Sequence, residues 1–174
     1  MLSASAIVQG MHIITSRTLV RPFHDSDLKP LTRMMTDEEV MRFTGFKVPQ
    51  TEERIRELLA KWKLDGDSSL GVWAAEDQES QAFVAWFMLK KTVTNDPELG
   101  FMLEKKFWNK GYATEISLAF INHAFTVLKI GRVIASTTPE NHASIKVLRK
   151  IGMTEYEENA SKHPVIYFEI LRPA

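Results

Sequence analysis

Apolar and polar positions follow different periods along the chain, which separates a helical first third from a strand-rich middle. Residues Ile13 to Arg21 alternate loosely and stop before Pro22, a pattern that predicts a first strand. Residues with N-capping side chains then precede stretches of helical period, which predicts three helices in succession. These helices cover about 24–35, Asp37 to Phe43, and a segment from Thr51 to Gly66 that carries an apolar stripe.

Short apolar runs bounded by polar turns follow, and they predict three successive antiparallel strands. These runs are Leu70 to Ala75, Ala82 to Leu89 and Glu98 to Leu103. The remaining patterns predict a buried helix from Tyr112 to Lys129 ended by Gly131, a strand from Val133 to Thr137, a helix from Asn141 to Ile151 and a last strand from Val165 to Leu171. Because strand, helix and strand require a crossover, we expect strands 98–103 and 133–137 to be parallel neighbours. The predicted fold is α+β, a mixed sheet flanked by helices.

Length and composition indicate one ordinary globular domain. The chain has 174 residues, of which 44% are hydrophobic and 25% charged, values that suit a folded domain rather than a disordered chain. We expect residues 1–10 to form a loose extension and 11–174 a single domain, with Met11 as an alternative start.

Charge, hydropathy and cysteine content exclude several classes of function. The 22 basic and 22 acidic side chains cancel, which argues against a broadly basic nucleic-acid binder. The longest apolar run, Ala82 to Leu89, is far shorter than the ~20 residues that span a bilayer, and the first residues lack the features of a signal peptide. Without cysteine there is no thiolate nucleophile or thiolate metal site, and the five histidines lack metal-ligand spacing. We therefore expect a cytoplasmic enzyme with no metal, no membrane contact and no nucleic-acid partner.

The segment from Lys105 to Thr114 joins a predicted strand to the buried helix and is the first candidate for chemistry. A helix N-terminus offers unpaired N–H groups and partial positive charge, and Gly111 lets a ligand approach the backbone closely. The pattern is neither a Walker loop nor Gly-x-Gly-x-x-Gly. The alternative is a plain strand-to-helix turn with a cluster of solvated lysines.

Two further positions favour a ligand site at this edge of the sheet. Gly100 lies inside a predicted strand, where glycine indicates a bulge, a close ligand approach or simple packing clearance. Asn141 follows the next parallel strand and is also a natural N-cap. Ligands in such sheets bind at the carboxyl ends of adjacent parallel strands, where Asn141 and the Gly111 turn both lie.

Taken in order, these motifs resemble the GNAT superfamily of acetyl-CoA-dependent N-acetyltransferases, and most closely its ribosomal-protein N-terminal acetyltransferase branch. The likeness runs from about Ile13 to Leu171. It rests on the segments Glu98 to Leu103, Trp108 to Glu115, Asn141 to Ser144 and Lys150 to Met153, together with Thr18 to Phe23 and Glu39 to Gly45.

The resemblance implies a strongly curved mixed sheet whose two central parallel strands splay apart around the pantetheine arm of acetyl-CoA. It assigns the pyrophosphate to the backbone of Asn109, Lys110, Gly111, Tyr112, Ala113 and Thr114, and the pantetheine arm to Met102, Leu103 and Asn141. It also implies an amine acceptor held by residues 37–50 and 156–165, and a monomer or homodimer. Three positions depart from the family pattern: Trp108 replaces a common Gln or Arg, Leu148 a catalytic Tyr, and Ser136 a catalytic Glu.

Two residues are candidates for the catalytic proton transfers. An α-amine, with a pKa of ~7.7–8.0, needs little help from a base, so a water held by Glu98 suffices. Ser144 is the candidate acid for the leaving thiolate, and a backbone N–H near Met102 or Leu103 the candidate oxyanion donor. The alternatives for Glu98 and Ser144 are a solvated carboxylate and a capping residue. The acceptor is a protein N-terminus or a small amine such as a polyamine, amino acid or antibiotic, and a non-catalytic CoA-binding module remains the alternative function.

Overall fold

The computed structural model describes residues 12–65, 68–91, 95–157 and 164–174, so the predicted 1–10 extension and the helix stop at Gly66 lie outside the described residues. Within these ranges, eight strands form one open sheet in the order β1-β2-β3-β4-β5-β6-β8-β7. The strands are β1 (Ile13–Ile14), β2 (Thr18–Arg21), β3 (Gly71–Asp77), β4 (Phe83–Lys91), β5 (Pro97–Leu103), β6 (Arg132–Thr137), β7 (Thr154–Tyr156) and β8 (Ile166–Leu171). The α-helices are α1 (Leu28–Met35), α2 (Glu38–Met41), α3 (Glu52–Asp65), α4 (Tyr112–Thr126) and α5 (His142–Lys150).

The sheet is mixed because β5 and β6, alone among the described strands, run parallel. They share a single registered pair, Glu98↔Ile134, near the start of β5. Toward Leu103 and Thr137 the two strands separate, and a gap opens at their carboxyl ends. The predicted α+β class, the parallel pair and its splay are confirmed.

Hydrophobic side chains pack on both faces of the sheet. Strand β4 alternates between the two cores: Phe87 and Leu89 join the core that includes α4 and α5, whereas Trp86 and Met88 pack against the core that includes α1 and α3. This period-2 alternation makes β4 the wall between the two layers. The gap between β5 and β6 therefore connects the α4 side of the sheet with the α1–α3 side.

The prediction of one continuous strand from Ile13 to Arg21 was wrong. The segment is a hairpin in which β1 pairs antiparallel with β2. The Thr15 N–H donates to the Thr18 carbonyl, and the two threonine hydroxyls lie 2.7 Å apart. Such local side-chain bonds give the backbone an alternative to continuous extension, and the alternation of apolar residues does not reveal them.

The prediction that α4 extends to Lys129 and ends at Gly131 was also wrong. The helix ends at Thr126, and Lys129, not Gly131, takes the left-handed conformation, with a φ of 57°. The Ile130 N–H then returns to the carbonyl of Ala124. Apolar residues continue past the helix end because they still cover the core, so periodicity overestimated its length.

We expect Lys129→Gly to stabilise the protein by about 0.5 to 1 kcal/mol. A left-handed φ costs an L-residue roughly 1–2 kcal/mol, and the greater backbone entropy of unfolded glycine offsets part of that gain. The measurement is urea unfolding at equilibrium. Lys129→Ala is the control because alanine keeps the strain, and an equal gain in both variants would contradict this explanation.

Gly100 does not mark a bulge against β4. The β4–β5 register is unbroken from Ala85↔Leu103 to Lys91↔Pro97. A Cβ atom on Gly100 would instead lie 2.7 Å from Cε of Met88, its register partner. Glycine here provides clearance for the Met88 side chain, which the sequence left as one of three possibilities.

Candidate active site

A cavity of about 820 Å³ lies where β5 and β6 diverge. Ten of the eleven residues predicted for the site line it: Glu98, Met102, Leu103, Asn109, Gly111, Tyr112, Ala113, Thr114, Asn141 and Ser144. The eleventh, Lys110, is exposed and does not contribute to this lining. On the α1–α3 side the cavity reaches residues 39–40 and 42–46, inside the predicted wall 37–50, while most of the other predicted wall, 158–163, lies outside the described residues.

The turn before α4 presents backbone donors to this cavity. Asn109 and Gly111 both have positive φ, 58° and 84°, and Gly111 is the N-cap of the helix. The first bond within the helix runs from the Glu115 N–H to the Gly111 carbonyl. The N–H groups of Tyr112, Ala113 and Thr114 precede it and have no partner within the helix. Together with the helix dipole they suit an anion.

Arg17, from the turn between β1 and β2, supports this loop from behind. Its guanidinium donates to the Lys110 carbonyl at 2.9 Å and to the Glu115 carboxylate at 2.7 Å, and it lies 4.1 Å from the centre of the Tyr112 ring. Burial alone would raise the pKa of Glu115, but hydrogen bonds from Thr15 and Arg17 outweigh it and lower that pKa. One ion pair thus fixes both the last turn of the loop and the first turn of α4.

Tyr112 ties the same helix start to the end of β3. Its hydroxyl donates to Asp77 at 2.7 Å. The backbone N–H and hydroxyl of Ser80 and the Tyr112 hydroxyl lower the pKa of Asp77 to about 2. The bond to Asp77 and burial raise the pKa of Tyr112. Its phenol proton is therefore held by Asp77.

Trp108 and two lysines are engaged within the protein. The Trp108 indole donates to the Leu103 carbonyl at 2.9 Å and packs against both cores, so it braces the end of β5 instead of presenting a charge. Lys105 lies 2.5 Å from Glu39 and 3.5 Å from Asp37, and Lys106 pairs with Glu104. Both lysines are exposed, but each is paired with a carboxylate of the protein and is therefore not wholly available to a ligand.

The amide of Leu103 faces the gap, while that of Met102 does not. The Glu104 N–H bonds to the Val84 carbonyl on β4. In an antiparallel pair such bonds recur at every second residue, so Met102, two positions away, also directs its N–H toward β4. Leu103 directs its own N–H to the opposite side, where β5 and β6 separate.

Glu98 is linked to the neighbouring parallel strand. Its carboxylate accepts a hydrogen bond from the Ser136 hydroxyl at 2.7 Å. The sequence singled out Ser136 merely as the position where relatives carry a glutamate. Glu98 is paired in register with Ile134, and Ser136, two residues further along β6, lies on the same face of the sheet as Ile134. The sequence alone does not reveal this register. Tyr167, which no sequence pattern indicated, is the register partner of Ser136 on β8.

Asn141 and Ser144 meet at the start of α5. The Asn141 side-chain oxygen accepts the Ser144 backbone N–H at 3.2 Å, so Asn141 is the N-cap. The cap uses the backbone of Ser144 and leaves its hydroxyl uninvolved, and both residues line the cavity. Leu148, in place of the tyrosine of many relatives, is 2% exposed and belongs to the core.

Among the described ranges, no helix has the length and apolarity to cross a membrane. The same ranges contain no cluster of three or more His, Asp or Glu side chains arranged to hold a metal ion.

Comparison with known proteins identifies the family. A model described as an acetyltransferase (GNAT) domain matches residues 17–154. YnaD, an uncharacterized N-acetyltransferase of Bacillus subtilis, is 30% identical over 146 residues, 82% of each chain. A GNAT-family acetyltransferase structure from Bacillus anthracis superposes with a TM-score of 0.82 at 27% identity, covering 92% of this chain and 98% of that one.

Two structures of lower identity share the fold. One is RimL, a ribosomal L7/L12 alpha-N-protein acetyltransferase in complex with coenzyme A, with a TM-score of 0.78 at 15% identity over 93% of this chain and 98% of that one. The other is a spermidine N-acetyltransferase from Vibrio cholerae in complex with CoA and spermine, with a TM-score of 0.74 at 17% identity over 90% and 96%. Since the matched family model spans most of the chain, the chain belongs to the GNAT family and is an N-acetyltransferase.

Proposed function

We propose that this enzyme transfers the acetyl group of acetyl-CoA to a primary amine by direct attack on the thioester. The observation that carries the proposal is one cavity through the sheet, with backbone donors before α4 at one end and the Glu98 carboxylate on its lining. The turn before α4 suits an anion and therefore fits the pyrophosphate of acetyl-CoA. The gap between β5 and β6 fits the narrow pantetheine arm, which carries amide groups. The CoA complexes of the two distant neighbours support the same choice of co-substrate.

In this proposal, different residues of the chain bind different parts of acetyl-CoA. The N–H groups from Asn109 to Thr114 hold the pyrophosphate, with Gly111 allowing close approach. Met102, Leu103 and Asn141 border the pantetheine arm. Lys110 is exposed and is assigned no more than an accessory contact with phosphate.

The chemistry requires a neutral amine. An α-amine with a pKa of ~7.7–8.0 costs roughly 1 kcal/mol to deprotonate at pH 7, whereas a lysine side chain costs roughly 4.6 kcal/mol. The amine nitrogen bonds to the carbonyl carbon, the carbon–sulfur bond breaks, and the amine proton leaves through a water held by Glu98. The N–H of Leu103 is the oxyanion donor, and Ser144 supplies a proton to the departing thiolate.

The acceptor in this proposal is a primary amine, with a protein α-amine as the first candidate. RimL supports a protein N-terminus and the Vibrio cholerae enzyme supports a polyamine, so a small-molecule amine is the second candidate. A cytoplasmic location, a monomer or homodimer and a single domain over 11–174 stay predictions.

Free-thiol release from acetyl-CoA with a panel of amines tests the function. We expect amine-dependent release, together with a higher melting temperature in acetyl-CoA. Ligand at ~100 times its Kd would add ~2.7 kcal/mol of apparent stability. A protein that binds CoA yet acetylates no amine would instead be a CoA-binding module, the alternative from a different class.

We expect Ser144→Ala to lower kcat about tenfold and to leave acetyl-CoA affinity unchanged. General acids typically increase the rate ~10²–10⁴-fold. A thiolate is a good leaving group even without protonation, so we expect the contribution of Ser144 to lie below that range. The melting temperature checks the fold, and it should not move because the Asn141 cap uses the Ser144 backbone N–H. An unchanged kcat would show that Ser144 takes part only in the cap of α5 and not in catalysis.

We expect Arg17→Met to weaken acetyl-CoA binding about tenfold and to cost about 1 to 2 kcal/mol of stability. The loop loses its bond at the Lys110 carbonyl, and the Glu115 carboxylate loses its cation. Calorimetric titration and urea unfolding measure the two effects. Arg54→Met, which removes an exposed ion pair with Glu57, is the matched control and should change neither.

A further inference from the structure

We propose that Lys146 and Lys150, on α5, bind the 3′-phosphate of coenzyme A and make the enzyme select CoA over its dephospho form. This inference rests on the proposed use of acetyl-CoA and assigns a charged group of that co-substrate to which the turn before α4 is not committed. It follows from the side of α5 that borders the cavity, called here the lysine face and formed by Ala143, Lys146, Val147 and Lys150.

The lysine face arises from helical spacing. Its members follow Ala143 by three, four and seven residues, so they share one side of α5, and that side lines the cavity. A helix rises 1.5 Å per residue, so Lys146 and Lys150 lie about 6 Å apart along the axis, and both are exposed. Like charges at this spacing repel each other, and an anion held between them would remove that cost.

Both lysines keep their charge available to a ligand. Neither forms an ion pair or a side-chain hydrogen bond with any residue that the structure describes. Arg149, which lies outside the lysine face, pairs with Glu155 of β7 at 2.6 Å. The helix dipole favours a cation in the last turn, where Lys150 lies, but Lys146 precedes that turn. Within one helix, the cations that border the cavity therefore lack a partner, whereas the cation directed to β7 has one.

The 3′-phosphate of CoA has the chemistry that such a pair suits. A phosphate monoester carries about −1.5 to −2 charges at pH 7 and three acceptor oxygens. The backbone N–H groups before α4 carry only partial charge, and the proposed function already assigns them to the pyrophosphate. A lysine ammonium is a full point charge with three donors on a flexible stem, so two of them can follow one phosphate group.

The other cations near the cavity are less suited to this phosphate. Three of them pair with carboxylates of the protein: Arg17, Lys105 and Lys106. Lys110 is exposed and does not contribute to the lining of the cavity. Arg42 does line it, but it follows α2 on the α1–α3 side of the sheet. Lys146 and Lys150 are thus the lysines that both line the cavity and remain unpaired among the described residues.

The charges of the cavity separate in the way that this assignment requires. Helix α5 packs in the α4 core, so the lysine face lies on the side of the turn that suits an anion. Glu98 lies two residues before Gly100, the register partner of Met88, and therefore on the sheet face of the α1–α3 core. Glu140 precedes Lys146 by more than one helical turn. The positive face and the carboxylate proposed for the amine are therefore on different sides of the sheet.

Calorimetric titration with CoA and with dephospho-CoA tests the inference, because the two ligands differ only in the 3′-phosphate. We expect wild-type protein to bind CoA at least about tenfold more tightly. This preference should shrink when sodium chloride is raised from about 0.05 to about 0.5 M, since salt screens exposed charges. Equal Kd values for the two ligands would make the two lysines ordinary surface cations and overturn the inference.

The double variant Lys146→Gln/Lys150→Gln tests the location of the phosphate. It should bind CoA about tenfold more weakly and dephospho-CoA within about twofold of wild type, so most of the preference is lost. Arg149→Gln is the matched control, because it removes from the same helix a cation that pairs with Glu155, and it should keep the preference. Melting temperatures verify that the variants fold. A double variant that keeps the preference, or a preference lost in Lys110→Gln instead, would overturn the inference.

The outcomes also separate this inference from the proposed function. A protein that binds neither CoA nor dephospho-CoA would overturn both. Binding of the two ligands with equal affinity would overturn the phosphate subsite alone. Acetyl-dephospho-CoA adds a kinetic measurement: it should support the wild-type kcat with a KM raised at least about tenfold, because the 3′-phosphate contributes equally to ground-state and transition-state binding. A kcat lowered as much as KM is raised would contradict a role confined to binding.

Discussion

Gly111→Val is expected to reduce acetyl-CoA affinity by at least a hundredfold. Gly111 has a φ of 84°, a conformation that valine adopts only under strain, and its position begins the turn whose N–H groups would hold the pyrophosphate. A Cβ atom here would also lie 3.4 Å from Nη2 of Arg17, so the side chain presses on the support of the loop as well. Calorimetric titration with acetyl-CoA measures the loss.

Two further variants separate the loss of binding from a loss of fold. Gly111→Asn keeps the left-handed backbone, which asparagine tolerates, while it still adds a side chain at the point of approach. It should fold normally and lose at least about thirtyfold in affinity. Gly131→Val is the matched control, because a Cβ atom there meets no atom within 4 Å. Unchanged affinity in folded Gly111→Asn would show that this turn is not the phosphate site.

Glu98→Gln is expected to lower kcat/KM about a hundredfold at pH 7 for an α-amine acceptor. The amide retains the shape of the carboxylate and can still accept from Ser136, but it cannot draw the amine proton away through a water. Raising the pH to about 9 should recover much of the rate, because an α-amine with a pKa of ~7.7–8.0 is then already neutral. An acceptor with a pKa near 10 should be rescued less over the same range.

The pH profile distinguishes this effect from a structural one. Glu140→Gln is the matched control, since it removes the same charge from the lining of the same cavity at the start of α5. It should change the rate less than about threefold at every pH. A uniform loss in Glu98→Gln that does not vary with pH would make Glu98 a positioning residue, and a wild-type profile would remove it from the mechanism.

Local sequence signals predicted the parts of the site that depend on neighbouring residues. Gly111 before a buried helix predicts a turn with free N–H groups, and the structure has such a turn. Asn141 was predicted as a cap by its residue type, and its side chain does bond to Ser144. These features arise within a few residues, where chain connectivity already brings the groups together.

Features that depend on distant segments were not predictable. Arg17 and Glu115 are 98 residues apart, and nothing in either neighbourhood indicates the other. The same holds for Tyr112 and Asp77, which meet because α4 packs beside the end of β3. The apolar lining of the cavity likewise combines residues from the turn after α2, from β4 and from β5.

The sequence by itself determined most of the order of the elements, the parallel crossover of β5 and β6 and the resemblance to the GNAT family, because hydrophobic period and ordered motifs are properties of the chain. The short strand β7, Thr154–Tyr156, was not predicted. The tertiary structure alone decided that Ile13 to Arg21 folds back as a hairpin, that Gly100 makes room for Met88 and that Glu98 bonds to Ser136. Each of these depends on which atoms meet across the sheet. Strand register determines that, and a one-residue change in register would bring different side chains together.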